Sequence, residues 1–278
     1  MPDPVLAVRD LRKRFSVRRA DGFGHEAVTA VDGVSFALEE GGALALVGES
    51  GSGKSTCARC VVGLEQPSGG EVVVAGERWG GGRLRTRERR RRGGIVQMVF
   101  QDPYQSLDRR QRVRDAIGDA LRLHTPALDG AARRARVDEL LDQVGLDARQ
   151  GAALPRALSG GQRQRVAIAR ALAATPRVLI LDEAVAALDV SIQAQVLNLL
   201  AEIRAATGVA YLFISHDLAV VRQLCDEAVV LRGGRVVERG AVDAILASPR
   251  EPYTRQLIAS IPRPGWTPRR RTHEPIRG

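Results

Sequence analysis

Cysteine is nearly missing: Cys57, Cys60 and Cys225 are the only three in 278 residues. A small odd number in a chain this long excludes the disulfide framework of small secreted domains. Long apolar runs are missing too. No stretch approaches the roughly 18 uncharged apolar residues of a membrane-spanning helix, so nothing here is expected to cross a bilayer by itself. The N-terminus, MPDPVLAVRD, has prolines and acids where a secretory signal has a basic patch and an apolar core. The cytoplasm is the expected compartment. Aromatic residues make up only 4%. Trp79 alone stands near the densest basic run, which leaves that run without the interleaved stacking rings of a single-strand nucleic-acid binder.

Positive charge, by contrast, is abundant. The formal net charge is +10, concentrated in RLRTRERRRR (83–92) and the closing PRRRTHEPIRG. Such a surface suits nucleic acid, an acidic membrane face or nucleotide phosphates, and selects none of them. A basic run is most often a solvated face. The length suffices for one large domain or two small ones, with a sizeable core in either case.

The first segment reads as strands and turns. LAVRDLRKRF alternates, and EVVVAGERW reads as another short strand. ALALV (43–47) is apolar throughout and bounded by Gly42 and Gly48, as in a strand buried on both faces of a parallel sheet. Helical spacing follows through Val61, Val62 and Leu64 until PSGG. From about 111 to 172 the pattern is helical only, with Val137, Leu140, Leu141 and Val144 on one face. The strand VLILD, a helix over about 191–206, the strand VAYLFIS, a helix near 217–225 and a β-rich end follow. After Ser248 the core pattern stops. The expected class is α/β with an α-helical insert.

Two motifs carry phosphate chemistry. GESGSGKST (48–56) fits G-x-x-x-x-G-K-[ST], follows a strand and opens a helix. Its glycines turn backbone N–H groups inward, and the helix start adds positive potential. Lys54 is expected to reach the β- and γ-phosphates and Ser55 to ligate Mg²⁺. VLILDE (178–183) delivers two carboxylates at the C-terminal end of a buried strand, where α/β folds bind ligands. Asp182 is expected in the Mg²⁺ shell, and Glu183 as the general base for the attacking water. A glycine loop is sometimes only flexible, and adjacent acids are often only solvated. Together the two motifs set those readings aside. Cys57 and Cys60 lie at i and i+3 with no further ligands nearby, and read as small packing residues rather than a metal site.

A second glycine turn, LSGGQRQRV (158–166), has no lysine. It resembles the signature of ATP-binding cassette (ABC) ATPases, and the resemblance then covers nearly the whole chain. VFQDPYQSL resembles the family's Q-loop around Gln101, Ala187-Leu188-Asp189 its D-loop, and ISHDL its switch motif with His216. The resemblance implies a P-loop NTPase cassette with a RecA-like core, an N-terminal antiparallel β subdomain and an α-helical subdomain. The layout implied is an ATPase domain over 1–247, with the helical part inserted at about 102–172, and an extension over 248–278 ending in a disordered tail. It implies an ATP site of Phe15 (stacking on adenine), Gly48, Ser50, Gly51, Gly53, Lys54, Ser55 and Thr56. Ser55, Gln101 and Asp182 would hold Mg²⁺, while Glu183, His216 and Gln101 would serve catalysis. Two cassettes would face head to tail, so that Ser159, Gly160, Gly161, Gln162 and Asp189 of one cover the ATP of the other.

DEAVAALDVSIQAQVLNLL, the tail SPREPYTRQLIASIP and the insertion between Phe15 and Ala30 are similar to ATPase subunits of bacterial oligopeptide, dipeptide and nickel importers. That implies a peripheral engine on the cytoplasmic face of the membrane, with a second ABC ATPase, two transmembrane permease subunits and an extracytoplasmic solute-binding protein. With no cysteine after Cys225, the chain resembles the partner type that lacks an iron–sulfur cluster. The solute implied is a peptide or a related small solute, nickel included. No nucleic acid is expected. The alternative is a soluble ABC ATPase acting on nucleic acid or in translation. Its repair types carry long coiled-coil or zinc-bearing insertions and its translation types two cassettes in one chain, and neither pattern is present. One departure stands out: Ala184-Val185-Ala186 replaces the family's usual proline, threonine or valine, and serine. Hydrolysis is expected to survive it, since Asp182, Glu183 and Asp189 remain.

Overall fold

The computed structural model describes residues 3–19, 22, 24–79, 85–102 and 107–259. The expected disordered tail lies largely outside them. Two sheets organise the described residues. The first is antiparallel, with strand order β2-β1-β4-β5, built from β1 (Leu6–Arg18), β2 (His25–Leu38), β4 (Gly69–Val74) and β5 (Glu77–Arg78). The second has order β10-β9-β3-β8-β7-β6, from β3 (Ala43–Val47), β6 (Val96–Val99), β7 (Val178–Asp182), β8 (Ala210–Ser215), β9 (Glu227–Arg232) and β10 (Arg235–Ala241). Strands β9, β3, β8, β7 and β6 run parallel, and β10 returns antiparallel along the edge.

Side chains alternate across a strand, and here both faces are covered. Leu44 and Leu46 of β3, Val178 and Ile180 of β7, and Leu212 and Ile214 of β8 share one core with the antiparallel sheet and helix α1 (Lys54–Val61). Ala45, Val47, Leu179, Leu181, Tyr211 and Phe213 point the other way into a second core. That core is closed by α3 (Val113–His124), α4 (Gly130–Gln143), α6 (Gly160–Leu172), α7 (Val190–Thr207) and α8 (Leu218–Leu224), with short α5 (Ala148–Ala152) beside them. Helix α2 is Thr86–Ile95; α9 (Val242–Ala247) and α10 (Pro252–Ala259) end the described chain. None of these helices is long and apolar enough to cross a membrane.

Two details differ from the sequence reading, and a third adds to it. EVVVAGERW forms two strands, because Ala75 and Gly76 take φ of 51° and 78° and turn the chain back so that Val74 pairs with Glu77. Paired positive φ angles match the twist of a tight hairpin. Helix α1 stops at Val61 rather than running on to PSGG, and Gly63, two residues past its end, adopts φ 76°. From Thr86 on, the arginine run is helical, as α2, with no buried residue in that helix. Its turns are held by Arg91 and Arg92 on Glu88, whose carboxyl they draw down to about 2. Elsewhere the periodicity reads true: Val137, Leu140 and Leu141 of α4 and the following Val144 are buried. Cys57 and Cys60 pack in the first core, where burial pushes their thiols up to about 12 and about 11.

Parallel strands place their C-terminal ends on one rim. Val47 pairs with Ser215, Asp182 with Ile214 and Val99 with Leu181. The loops that follow β3, β6, β7 and β8 therefore emerge together, and every expected catalytic side chain sits in one of them.

Candidate functional site

The loop from Gly48 to Gly53 leaves β3 and wraps onto the start of α1. Two of its glycines are obligatory on steric grounds. At Gly53 (φ 103°), an added Cβ would sit 2.5 Å from the Ala30 carbonyl oxygen, and at Gly48 (φ 153°) it would run into the Leu231 carbonyl oxygen. Lys54 is only 4% exposed. Its ammonium donates to the carbonyls of Gly48 and Glu49, both at 2.8 Å, and to Ser52 Oγ at 3.4 Å. Burial lowers its pKa, against the opposing pull of Glu183, Asp182 and Glu49. A cation held on neutral carbonyls in a glycine cradle is poised to exchange them for an anion.

Ser55 Oγ donates to Asp182 Oδ1 at 2.9 Å. Asp182 is 6% exposed, and burial raises its pKa although the Ser55 hydrogen bond opposes the shift. A hydroxyl beside a desolvated carboxylate is a donor set that fits Mg²⁺, whose remaining ligands are typically phosphate and water oxygens. Glu183 follows with φ 48°, a left-handed conformation rare for a side-chain-bearing residue, fixed by its N–H on the Ile214 carbonyl at 3.0 Å. His216 Nδ1, from the loop after β8, lies 3.6 Å from Glu183 Oε1.

These groups surround one cavity of about 710 Å³. Of the residues expected at the nucleotide, Ser50, Gly51, Gly53, Lys54, Ser55, Thr56, Gln101, Glu183 and His216 line it, and Asp182 reaches it through Ser55. Gly48 does not line it. Phe15 does not line it; Lys13 Nζ stands 4.6 Å over its ring. Ala30, Glu49 and Leu257 line it without having been expected. Leu257 comes from α10, some two hundred residues from the loop, and no local motif marks it.

The second glycine turn lies elsewhere. Ser159 caps α6 through a reciprocal pair, Gln162 N–H to Ser159 Oγ (3.2 Å) and Ser159 N–H to Gln162 Oε1 (2.9 Å). A Cβ on Gly161 would collide with Ile192 of α7, while Asp189 caps α7 by accepting the Ile192 N–H at 3.0 Å. Turn 158–162 and Asp189 thus form one packed block, and neither lines the cavity of their own chain. The turn after Glu183 is closed without its usual proline: Ala186 N–H donates to the Glu183 carbonyl at 3.1 Å, and Ala184 and Val185 are buried.

A phosphate loop after one strand, paired acids after another and a histidine after a third define a P-loop nucleotide-hydrolysing cassette. The sequence profile of the ABC transporter family matches residues 31–186, and the chain belongs to that family as an ATP-binding ATPase. The di/tripeptide transport ATP-binding protein DppF of Pseudomonas aeruginosa is 46% identical over 94% of this chain and 80% of its own length. The glutathione import ATP-binding protein GsiA of Escherichia coli is 46% identical over 94% of this chain but only 41% of its own length, so the chain spans less than half of that relative. Among solved structures, the dimeric cassette MJ0796 with ADP and Pi superposes with a TM-score of 0.74 at 28% identity, covering 85% of this chain and 98% of that one. CbiO1 of Clostridium perfringens superposes with 0.75 at 29%, covering 89% and 92%.

Proposed function

We propose that this chain is one ATPase subunit of an importer for peptides or a related small solute. The reading rests above all on its identity, along almost its whole length, to subunits named for di/tripeptide and glutathione import. Those names favour a peptide-like solute over nickel. The chain binds peripherally at the cytoplasmic face of the membrane, on two permease subunits fed by an extracytoplasmic binding protein, and pairs with a second ABC ATPase. Residues 1–247 form the ATPase domain, with a helical part inserted at about 102–172, and 248–278 are an extension of the importer type.

In this proposal Gly51, Gly53, Ser50 and Thr56 wrap the phosphates, and Lys54 meets the β- and γ-oxygens. Ser55, Asp182 and Gln101 hold Mg²⁺, which neutralises phosphate charge when bound. Glu183 takes a proton from the attacking water, its carboxylate aimed by the left-handed backbone. His216, 3.6 Å away, senses the γ-phosphate on the same rim. Phe15 stacks on adenine after a local rearrangement that releases Lys13. Ser159, Gly160, Gly161, Gln162 and Asp189 reach the nucleotide of the partner cassette, as their packing into one block outside their own cavity supports. Closure then follows from nucleotide favouring the closed dimer.

The test is to express tagged Glu183→Gln in its native cell, solubilise with ATP and Mg²⁺, and identify what co-purifies. Two permease subunits and a second ATPase are the expected outcome. Ribosomes or nucleic acid without any membrane protein would overturn the import reading.

A further inference from the structure

Helix α10 reaches the nucleotide cavity from the far end of the chain. Tyr253, in its first turn, is 4% exposed. Its hydroxyl accepts a hydrogen bond from the backbone N–H of Glu49 at 3.0 Å. Arg232, at the end of β9, covers its ring at 4.8 Å. One helical turn later Leu257 lines the cavity itself. The start of α10 is anchored independently. Glu238 of β10 accepts the N–H groups of Arg250 (2.9 Å) and Glu251 (3.2 Å). Burial alone would raise the Glu238 carboxyl, but those hydrogen bonds bring it below its ordinary value.

The bond to Glu49 has a particular geometry. The N–H of Glu49 and the carbonyl of Gly48 belong to the same planar peptide and point in opposite directions. Lys54 holds the carbonyl edge at 2.8 Å and Tyr253 holds the N–H edge at 3.0 Å. This peptide is the first after the strand, so its orientation sets the path of the loop that follows. A phosphate that draws Lys54 away frees the carbonyl edge. The Tyr253 edge does not depend on Lys54 and keeps the peptide in place.

We propose that α10 is a working part of the nucleotide site: Tyr253 is a positioning residue for the phosphate loop, Leu257 closes one wall, and the C-terminal extension thereby sets nucleotide affinity. The inference rests on the reading of the cavity as a nucleotide site. It adds a contact that the motif, ending at Thr56, does not contain.

Tyr253→Phe in the full chain deletes the hydroxyl and keeps the ring under Arg232. ADP affinity by titration calorimetry, and KM and kcat for ATP, are measured against the parent. The expected result is a Kd and a KM raised about 3- to 10-fold, the worth of one hydrogen bond, with kcat at saturation kept within about twofold. The nucleotide-free melting midpoint is expected to move little, and its rise on adding ADP to shrink. Glu238→Gln, which loosens the helix start without touching the loop, moves KM in the same direction. Unchanged Kd and KM in Tyr253→Phe would overturn the proposal while leaving the nucleotide site intact. So would a fall in kcat at constant KM. A parent protein that binds no ADP would remove the nucleotide reading and this inference with it.

Discussion

Ser55 Oγ and Asp182 Oδ1 stand 2.9 Å apart, joining the first turn of α1 to the end of β7 across 127 residues of sequence. Neither motif contains the other, and the parallel sheet brings them together by setting β3 and β7 on either side of β8. Asp182→Asn is expected to raise the Mg²⁺ concentration needed for half-maximal ATPase activity by roughly 10- to 100-fold. A Mg²⁺ titration at fixed ATP reads it. The same variant carries a pH signature. The folded protein raises the Asp182 pKa, so the protonated form is favoured by folding at low pH, and that contribution disappears as pH rises through the raised value. Nucleotide-free Asp182→Asn is therefore expected to melt above the parent at neutral pH, and the two to converge in acid.

Lys54→Ala removes a buried ammonium whose partners are all backbone carbonyls and one hydroxyl. A hydrogen bond to a charged group is worth about 1.5–3 kcal/mol, so ATP binding is expected to weaken by roughly 10- to 150-fold. Calorimetric titration checks this; parental affinity would refute the phosphate-loop assignment.

Glu183→Gln keeps the shape of the side chain and removes the proposed base. Turnover is expected to fall on the order of 10²–10⁴-fold, with ATP binding retained and a closed dimer accumulating on size exclusion in ATP. Normal turnover would remove Glu183 from the role.

Ser159→Arg is expected to silence a partner's site while its own still binds ATP. The cap on α6 is lost as well, at about 1 kcal/mol, so a modest fall in melting temperature accompanies it. In a mixed dimer of Ser159→Arg with Lys54→Ala both defects fall in one composite site and the other is intact, so turnover is expected to return in the mixture although each variant alone is inactive.

The Ala184→Pro, Ala186→Ser double variant restores the usual turn after Glu183. That turn is already closed by the Ala186 to Glu183 hydrogen bond, so turnover is expected to change by less than about threefold. A large jump from a near-dead parent would show that the alanines had disabled the site.

Apolar patterns among sequence neighbours were legible beforehand. ALALV announced a doubly buried strand, since a run with no polar face has no solvent side. The phosphate loop declared its strand–turn–helix geometry in nine residues. Hidden were features whose cause lies elsewhere in the chain, and one helix with no apolar face. Ala75 gives no sign that it will take a positive φ, because it is the pairing of Val74 with Glu77 that demands it. Helix α2 has no apolar period to reveal it, and its turns rest on charge pairs. The Tyr253 hydroxyl meets Glu49 only once β9, β10 and α10 have folded back across the loop.

The strand that launches the phosphate loop also fixes when the protein can first become active during its synthesis. Residues Ala43–Val47 leave the ribosome well before their two neighbours in the sheet, Ala210–Ser215 and Glu227–Arg232. Domains fold as units as they emerge. Until β8 has cleared the exit tunnel this apolar strand has no partner on either edge, and until β9 follows one edge stays open. A nascent chain that ends before β9 carries the complete phosphate-loop sequence without the sheet that shapes it. Nucleotide recognition here is a property acquired only after β9 is made, and the interval before it is when the chain most needs shielding from aggregation.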